Sequence, residues 1–344
     1  MTRNPRVSRT TVPDAIARLL AAQHYITSAD VATSARVTRQ AAHYHLARLS
    51  EQGILVHEGS RRSSRYRLNA QRVHTYPLAK LSEDEVWVSE RIALRHSDPE
   101  LFDAPNLVSI LNFAFTEMVN NAIDHSRGSA VTIRWFIDPA RLAFEVDDDG
   151  VGAFATIRQH YALADDFEAL GELSKGKQTT DPDRHSGLGI YFTSRMVNRF
   201  VLSAGQLTWT VDHDVDDTAY GWLDKPRKGT LVRCEIRRDT SLTPRQVYAE
   251  RANPVSGRFD KTTIHVNLFR ERAGDFVSRT EAKRVGSHLE GFDEVELDFT
   301  GIAEIGQGFA DELFRVWARE NPRSRLVPLN ANPAVLAMIA TVKT

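Results

Sequence analysis

The stretch Phe113-Ala-Phe-Thr-Glu117-Met-Val-Asn-Asn121-Ala-Ile-Asp-His125 decides how the middle of the chain is read. Its apolar residues recur at helical spacing, so we predict a helix with one apolar face turned toward a core. Glu117 and Asn121 are four residues apart and therefore lie on the same face, one turn from each other. An amide oxygen suits Mg²⁺, and a carboxylate suits proton transfer. Taken alone, such a pair is more often an exposed polar face.

Three later motifs make a nucleotide site the better interpretation. Residues Arg141-Leu-Ala-Phe-Glu-Val-Asp-Asp-Asp-Gly-Val-Gly152 alternate like a strand and end in an acidic, glycine-containing turn. The sequence His185-Ser-Gly-Leu-Gly-Ile190 opens a helical run, and N–H groups at a helix start favour phosphate oxygens. Gly229-Thr-Leu-Val-Arg-Cys-Glu-Ile236 is predicted as one more strand.

In this order and spacing, the four motifs resemble the GHKL superfamily of ATP-binding domains. That superfamily includes DNA gyrase, histidine kinases and the anti-sigma-factor serine kinases. The resemblance covers roughly residues 80 to 240 and implies an α/β sandwich of the Bergerat type that binds ATP with Mg²⁺. It implies that Glu117 is the general base and Asn121 the Mg²⁺ ligand. It also implies that Asp148 accepts a hydrogen bond from the adenine amino group, with Thr230 supporting Asp148 through a water.

The same resemblance implies close backbone contacts and a mobile lid. Five residues are expected to bring the backbone close to the nucleotide: Gly150, Gly152, Gly187, Leu188 and Gly189. Residues 153–186 would form the lid, with Lys175 and Lys177 in its flexible, phosphate-seeking part. The alternative for these two lysines is a solvated loop. His185 would either touch phosphate or hold the lid down.

Composition and length describe an ordinary soluble protein of several domains. The chain has 344 residues, of which 42% are hydrophobic and 26% charged, which is typical of globular proteins. No apolar run approaches the roughly 18 residues of a membrane span, and the N-terminus lacks the apolar segment of a signal peptide. The single cysteine, Cys234, excludes an intramolecular disulfide. We therefore expect a cytoplasmic protein with no membrane partner.

The first 75 residues carry a net positive charge, and the rest of the chain carries a net negative one. They contain 12 Arg and no Lys against four acidic residues, whereas the remainder has 32 basic and 41 acidic residues. Three predicted helices and a hairpin in this region resemble the winged helix-turn-helix domains of bacterial transcription regulators, which implies DNA as a partner. Seven residues would contact DNA, four in the major groove and three at the hairpin: Arg39, Gln40, His43, Tyr44, Arg61, Arg62 and Arg65. The alternative is a protein-docking or dimerisation module.

The C-terminal residues 258–344 alternate between predicted strands and helices, which is typical of a small α/β domain. The segment around Asp298-Phe-Thr300-Gly-Ile-Ala-Glu-Ile-Gly-Gln-Gly308 is similar to STAS-like domains. STAS anti-sigma-factor antagonists carry a phosphorylated serine at this turn, and this chain has Ile305-Gly-Gln-Gly308 there instead. Thr300 is a possible acceptor, although a structural threonine at a strand end is the preferred interpretation.

The sequence thus predicts a multi-domain α/β protein. The expected domains are a winged helix-turn-helix (1–75), a GHKL ATP-binding domain (76–250) and a STAS-like domain (258–344). We expect an ATP-operated regulator, with the DNA-binding head or a protein partner of the STAS-like domain as its output. Whether it acts as a monomer or a homodimer stays open. The alternative is a protein serine/threonine kinase of the anti-sigma-factor type. Whether the protein is an ATPase or a kinase stays open, because Glu117 would serve as base in both.

Overall fold

A computed structural model describes most of the chain, in seven ranges: residues 11–22, 25–60, 63–138, 140–176, 187–252, 259–269 and 276–343. The chain divides into two compact units, residues 1–73 with 134–142, and residues 74–133 with 143–344. Helices and three separate sheets confirm the predicted mixed α/β class. None of the helices in these ranges is long and apolar enough to span a membrane.

The N-terminal unit contains three helices and a two-stranded antiparallel sheet, in the predicted order. The elements are α1 (Val12–Ala22), α2 (Ser28–Ala35), α3 (Arg39–Glu51), β1 (Leu55–Glu58) and β2 (Arg65–Leu68). The hydroxyl groups of Thr27 and Thr38 accept hydrogen bonds from the first turns of α2 and α3, as N-cap residues do. The core is formed by buried side chains from all these elements: Ile16, Ile26, Val31, Ala42, Leu46, Leu55 and Tyr66.

A five-stranded sheet with the strand order β3-β4-β5-β7-β6 forms the centre of the fold. Its strands are β3 (Arg72–Pro77), β4 (Ala130–Ile137), β5 (Arg141–Asp148), β6 (Arg199–Asp212) and β7 (Asp217–Arg237). Strand β7 is longer than the predicted strand Gly229–Ile236. Strand β6 runs through Gly205, where its register with β7 shifts. Gly205 has φ +55°, which a glycine adopts without strain, so the strand continues through an irregularity.

Two helices of the central domain pack beside one another: α4 (Glu83–Ser97) and α5 (Pro105–His125). Helix α5 begins with Pro105, which suits the first helical position because its N–H has no intrahelical partner. The apolar side of α5 is buried along its whole length: Leu107, Ile110, Leu111, Ala114, Phe115, Met118, Val119 and Ala122. Because the predicted apolar face of α5 is packed in the core, the orientation of the opposite, polar face is fixed.

Part of the predicted lid is regular helix. The chain forms α6 (Ala153–Tyr161) and α7 (Asp166–Lys175) before the range 177–186, and α8 (Gly189–Met196) after it. The carboxylate of Asp165 accepts a hydrogen bond from the N–H of Glu168 at 2.9 Å and so caps α7. Residues 153–175 of the predicted lid are therefore largely helical, and α7 has a cap and a buried face. The mobility of the lid stays a prediction.

The C-terminal region contains a parallel sheet with the strand order β10-β9-β8. Helix α9 (Pro244–Arg251) precedes it. The strands are β8 (Lys261–His265), β9 (Glu294–Asp298) and β10 (Arg325–Leu329). The helices are α10 (Arg279–Gly286), α11 (Gln307–Asp311), α12 (Ala318–Glu320) and α13 (Pro333–Lys343), with a π-helical segment Glu312–Trp317 between α11 and α12. Ser278 caps α10.

Candidate nucleotide-binding site

Helix α5 presents Glu117 and Asn121 to a cavity of about 270 Å³ in the central domain. Asn120, His125 and Ser126 also line this cavity. His125 follows Asn121 by one turn, so the same spacing that pairs Glu117 with Asn121 extends to it. The polar face of α5 is therefore one wall of the cavity rather than an outer surface.

The cavity collects seven of the predicted site residues. They come from α5, the end of β5, the start of α6, the start of α8 and β7: Glu117, Asn121, Asp148, Gly152, Gly187, Gly189 and Thr230. Gly150, Leu188 and Lys175 are not among the residues that line it. The remaining wall is mostly apolar and was not predicted: Met118, Ala122, Val146, Ala153, Ile157, Leu173, Ile190, Leu202 and Val232, together with Thr156. Only Val146 had a local signal, since it lies two residues before Asp148 and thus on the same face of β5.

Asp148 is a buried carboxylate at the end of β5, with only 6% of its surface exposed. Its Oδ1 accepts a hydrogen bond from the N–H of Gly150 at 2.8 Å. Thr230 adds hydrogen bonds from its backbone and its side chain, so the support expected through a water is direct. Burial raises the pKa of Asp148 above its usual value, and these hydrogen bonds only partly offset that effect. The free-energy cost of burying the Asp148 charge is therefore only partly compensated by hydrogen bonds within the protein.

Asp149, by contrast, has a structural role in the turn after β5. Its carboxylate accepts hydrogen bonds from Ser129 N at 2.6 Å, Ser129 Oγ at 2.5 Å and Ala130 N at 3.0 Å. These hydrogen bonds hold the pKa of Asp149 well below its usual range. Asp147 instead forms an ion pair with Arg227. Asp149 therefore stabilises the turn, whereas Asp147 pairs with β7.

Gly150 and Gly152 serve the same turn in different ways. A Cβ at Gly150 would lie 2.0 Å from the carbonyl oxygen of Ser126, so the chain passes too close to α5 for any side chain. Gly152 has φ +92° and immediately precedes α6, a conformation that glycine adopts without strain. Gly152 therefore reaches the cavity, while Gly150 packs behind it.

The first turn of α8 comes directly against Glu117. A Cβ at Gly189 would lie 2.1 Å from Glu117 Oε2, and Gly187 has φ +67°. Glycine at both positions lets the start of the helix approach the carboxylate. Burial also raises the pKa of nearby Tyr248 to about 12, with the charge of Glu117 as the second cause. Glu117 therefore lies against the start of α8, and its charge acts on Tyr248 of α9.

The donor set fits a magnesium-bound nucleotide. Asn121 Nδ2 is buried and has no hydrogen-bond partner within the described part of the chain, and a buried polar group of this kind is costly unless a ligand satisfies it. Amide and carboxylate oxygens are the protein ligands that Mg²⁺ accepts alongside phosphates. Asn121 would hold the metal, Glu117 would lie beside the phosphates as the base, and Asp148 would hold the adenine.

Both expectations for Lys175, a phosphate-seeking lysine and a solvated loop lysine, are wrong. Lys175 is the last residue of α7 and is completely buried, so it is neither a flexible phosphate-seeking lysine nor a solvated one. Its ammonium group is bound by four oxygens, from Glu172, Arg284 and Ser287. Lys175 is thus not available to a phosphate in this structure. Lys177 and His185 lie outside the described residues, and their roles stay predictions.

The predicted DNA-contacting residues lie in the N-terminal unit. Arg39, Gln40, His43 and Tyr44 are all exposed on α3. His43 Nδ1 lies 3.1 Å from the hydroxyl of the buried Tyr66.

Arg65 lies on β2, where its guanidinium stacks 3.8 Å from the centre of the Tyr25 ring and pairs with Glu58 at 3.3 Å. It is therefore already engaged within its own unit. Arg61 and Arg62 lie outside the described residues.

Comparison with known families agrees with this geometry. Residues 96–211 match the model of the histidine kinase-like ATPase domain, a range that includes Glu117, Asn121 and Asp148 but ends before Thr230. Residues 281–336 match the model of a STAS-like domain of unknown function (DUF4325). No curated protein matches the chain. The chain therefore contains a histidine kinase-like ATPase domain followed by a STAS-like domain.

Proposed function

We propose that this protein is an ATP-operated regulator, in which binding and hydrolysis of Mg-ATP in the central cavity control an output from another domain. The observation that carries the proposal is the convergence of Glu117, Asn121 and Asp148 on one cavity. Two of these side chains come from α5 and the third from β5, so the fold brings together groups that are about 30 residues apart in the chain. The match to a histidine kinase-like ATPase domain supports the same function.

The cavity residues have separable roles in this proposal. The ionised Asp148 accepts a hydrogen bond from the amino group of adenine, which favours adenine over a base with a carbonyl at that position. Asn121 ligates Mg²⁺, which would neutralise charge on the phosphates. Glu117 accepts the proton of the attacking water, and the backbone N–H groups at the start of α8 bind phosphate oxygens. The apolar wall excludes water from the base.

Incubation of the purified full-length protein with γ-labelled ATP tests this function. Release of free phosphate identifies an ATPase, and transfer of label to a protein in a cell extract identifies a kinase. Binding of ATP without either reaction identifies a switch that is operated by nucleotide binding alone. The Asn121→Ala variant is the negative control, because it should lose Mg²⁺-dependent binding of ATP. If the wild-type protein does not bind ATP by calorimetry in the presence of Mg²⁺, the proposal is refuted.

We further propose that the N-terminal unit binds DNA and is the output in transcription regulation, which would place the protein in the cytoplasm. The support is the exposed polar face of α3, with Arg39, Gln40, His43 and Tyr44, and the excess of arginine in the first 75 residues. Three helices followed by an antiparallel pair of strands are the elements of a winged helix-turn-helix.

Charge reversal tests the DNA-binding proposal. Changing Arg61, Arg62 and Arg65 to Glu should abolish retention of duplex DNA at moderate salt, and wild-type retention should weaken steeply as salt rises. Arg319→Glu with Arg323→Glu is the control, since both side chains are exposed in the STAS-like domain. If the wild type retains DNA no better than the triple variant at any salt concentration, the unit is a docking module instead.

A further inference from the structure

The C-terminal end of α7 is attached to the STAS-like domain through the buried ammonium of Lys175. Its Nζ lies 2.7 Å from Glu172 Oε1, 2.8 Å from the carbonyl oxygen of Arg284, and 2.8 and 2.9 Å from the carbonyl and hydroxyl oxygens of Ser287. Arg284 and Ser287 belong to the last turn and the C-cap of α10. Helix C-termini present carbonyl groups without intrahelical partners and favour positive charge. Lys175 therefore caps a helix that begins about a hundred residues later in the chain.

Several other contacts connect the same face of α7 to the same region. Glu172 Oε2 lies 2.9 Å from His288 Nδ1, and Glu168 Oε1 lies 2.9 Å from Arg284 Nε. The backbone oxygen of Lys175 accepts a hydrogen bond from Thr262 Oγ1 at 2.7 Å.

Apolar packing joins the same two parts of the chain. A Cβ at Gly171 would lie 2.6 Å from the ring of Phe269, so helix and ring are in direct contact. The contacting residues of α7 recur at helical spacing and form one face, which we call the latch face: Glu168, Gly171, Glu172 and Lys175.

The same helix also reaches the nucleotide cavity. Leu173 lies between two latch-face residues but lines the cavity, and only 5% of its surface is exposed. Directly after α7, Gly176 packs so closely on Tyr191 of α8 that a Cβ there would lie 2.6 Å from the ring. Helix α8 begins with Gly189, which contacts Glu117. A displacement of α7 would therefore change the cavity wall and the position of α8 together.

We propose that the latch face couples ATP binding to the docking of the STAS-like domain, with Lys175 as the positioning residue. The inference rests on the proposed function of the cavity. Docking of α10 on the latch face holds Leu173 and α8 where they complete the cavity, so docking favours ATP. Because coupling between two sites is reciprocal, ATP must favour docking to the same extent. A partner that competes for the end of α10 would thereby lower ATP affinity.

Hydrogen exchange in the full-length wild-type protein tests the reciprocal effect without any substitution. Saturating Mg-ATP should slow exchange of the backbone N–H groups of Gly286, Ser287 and His288 about fivefold or more. Helix α13 is the internal control, and its exchange should change much less. If Mg-ATP binds but leaves these three groups unchanged, or slows them and α13 equally, the coupling is refuted while the nucleotide site stands. If Mg-ATP does not bind at all, the proposed function itself fails.

Substitution of the lysine tests the forward effect. Lys175→Met keeps the length of the side chain but removes the ammonium, and ATP affinity should fall about tenfold. Lys283→Met is the matched control, because Lys283 lies on α10 with 70% of its side chain exposed, and it should bind ATP like the wild type. A folded Lys175→Met protein with unchanged ATP affinity would overturn the inference. Should Lys175→Met not fold, the exchange measurement decides.

Discussion

Asp148→Asn is predicted to weaken ATP binding strongly and to leave the fold at least as stable. The new side chain is isosteric, and its carbonyl oxygen can still accept the hydrogen bond that Gly150 N donates over 2.8 Å. Its NH₂ group must then replace the second carboxylate oxygen and would face the amino group of adenine, donor against donor. A hydrogen bond to a charged group contributes about 1.5–3 kcal/mol, so we expect affinity to fall about tenfold to 150-fold. Stability should not fall, because burial raises the pKa of Asp148, so the fold disfavours the negative charge that the substitution removes.

Calorimetry measures the affinity for ATP, and thermal unfolding measures the stability of the fold. Both are carried out at neutral pH with Mg²⁺. Asp147→Asn is the matched control, since the side chain points to the other face of β5 and pairs with Arg227. It should bind ATP within about threefold of the wild type, because neither Asp147 nor Arg227 lines the cavity and a partly exposed ion pair contributes little. An Asp148→Asn protein that unfolds at the wild-type temperature and binds ATP equally well would refute the role of Asp148 in recognising the base.

Three further results are expected. Gly150→Ala should lower the free energy of unfolding by about 1–3 kcal/mol, as overpacking does, because its Cβ would lie 2.0 Å from the carbonyl oxygen of Ser126. Gly221→Ala is the control, since the nearest atom to its Cβ is 3.3 Å away. In urea unfolding, its stability should change much less than that of Gly150→Ala. Glu117→Gln should keep ATP affinity but lose phosphate release, and undiminished release would exclude Glu117 as the base. ATP affinity should fall on acidification through the raised pKa of Asp148, at a higher pH than for an ordinary aspartate, because protonation converts an acceptor oxygen into a donor. Calorimetry across pH should show this dependence in the wild type but not in Asp148→Asn.

Local spacing predicted which side chains share a face, and the resemblance to GHKL domains supplied their roles. Glu117 and Asn121 lie together because any helix puts residues four apart on one face, whereas only the resemblance distinguished Asp148 from the aspartates on either side of it. The glycines of the turn were recognisable as positions needing open backbone. The sequence did not show which of them reaches the cavity. Gly150 faces Ser126 and Gly152 faces the cavity because of how β5 meets the end of α5, which is a tertiary arrangement.

Lys175 shows where reasoning from local sequence ends. The segment Ser174-Lys-Gly-Lys177 has the composition of a flexible loop, and nothing nearby indicates burial. The oxygens that bind the ammonium belong to Arg284 and Ser287, which are 109 and 112 residues away in the chain. Only Glu172, three residues earlier, was a local signal, and such a pair on a helix is usually a surface ion pair. The burial of the lysine depends on a domain contact that no local pattern encodes.

Three consecutive aspartates illustrate how the fold assigns different chemistry to identical side chains. Asp147 is paired with Arg227, and Asp149 accepts three hydrogen bonds that lower its pKa, so both charges are compensated within the protein. Asp148 also receives hydrogen bonds, yet burial dominates and its pKa is raised. A further donor that reached Asp148 from the cavity would therefore stabilise the ionised carboxylate, and an amino group of a purine is such a donor. The desolvation of Asp148 is not compensated within the protein, so this carboxylate, rather than the most exposed one, gains the most free energy from a ligand.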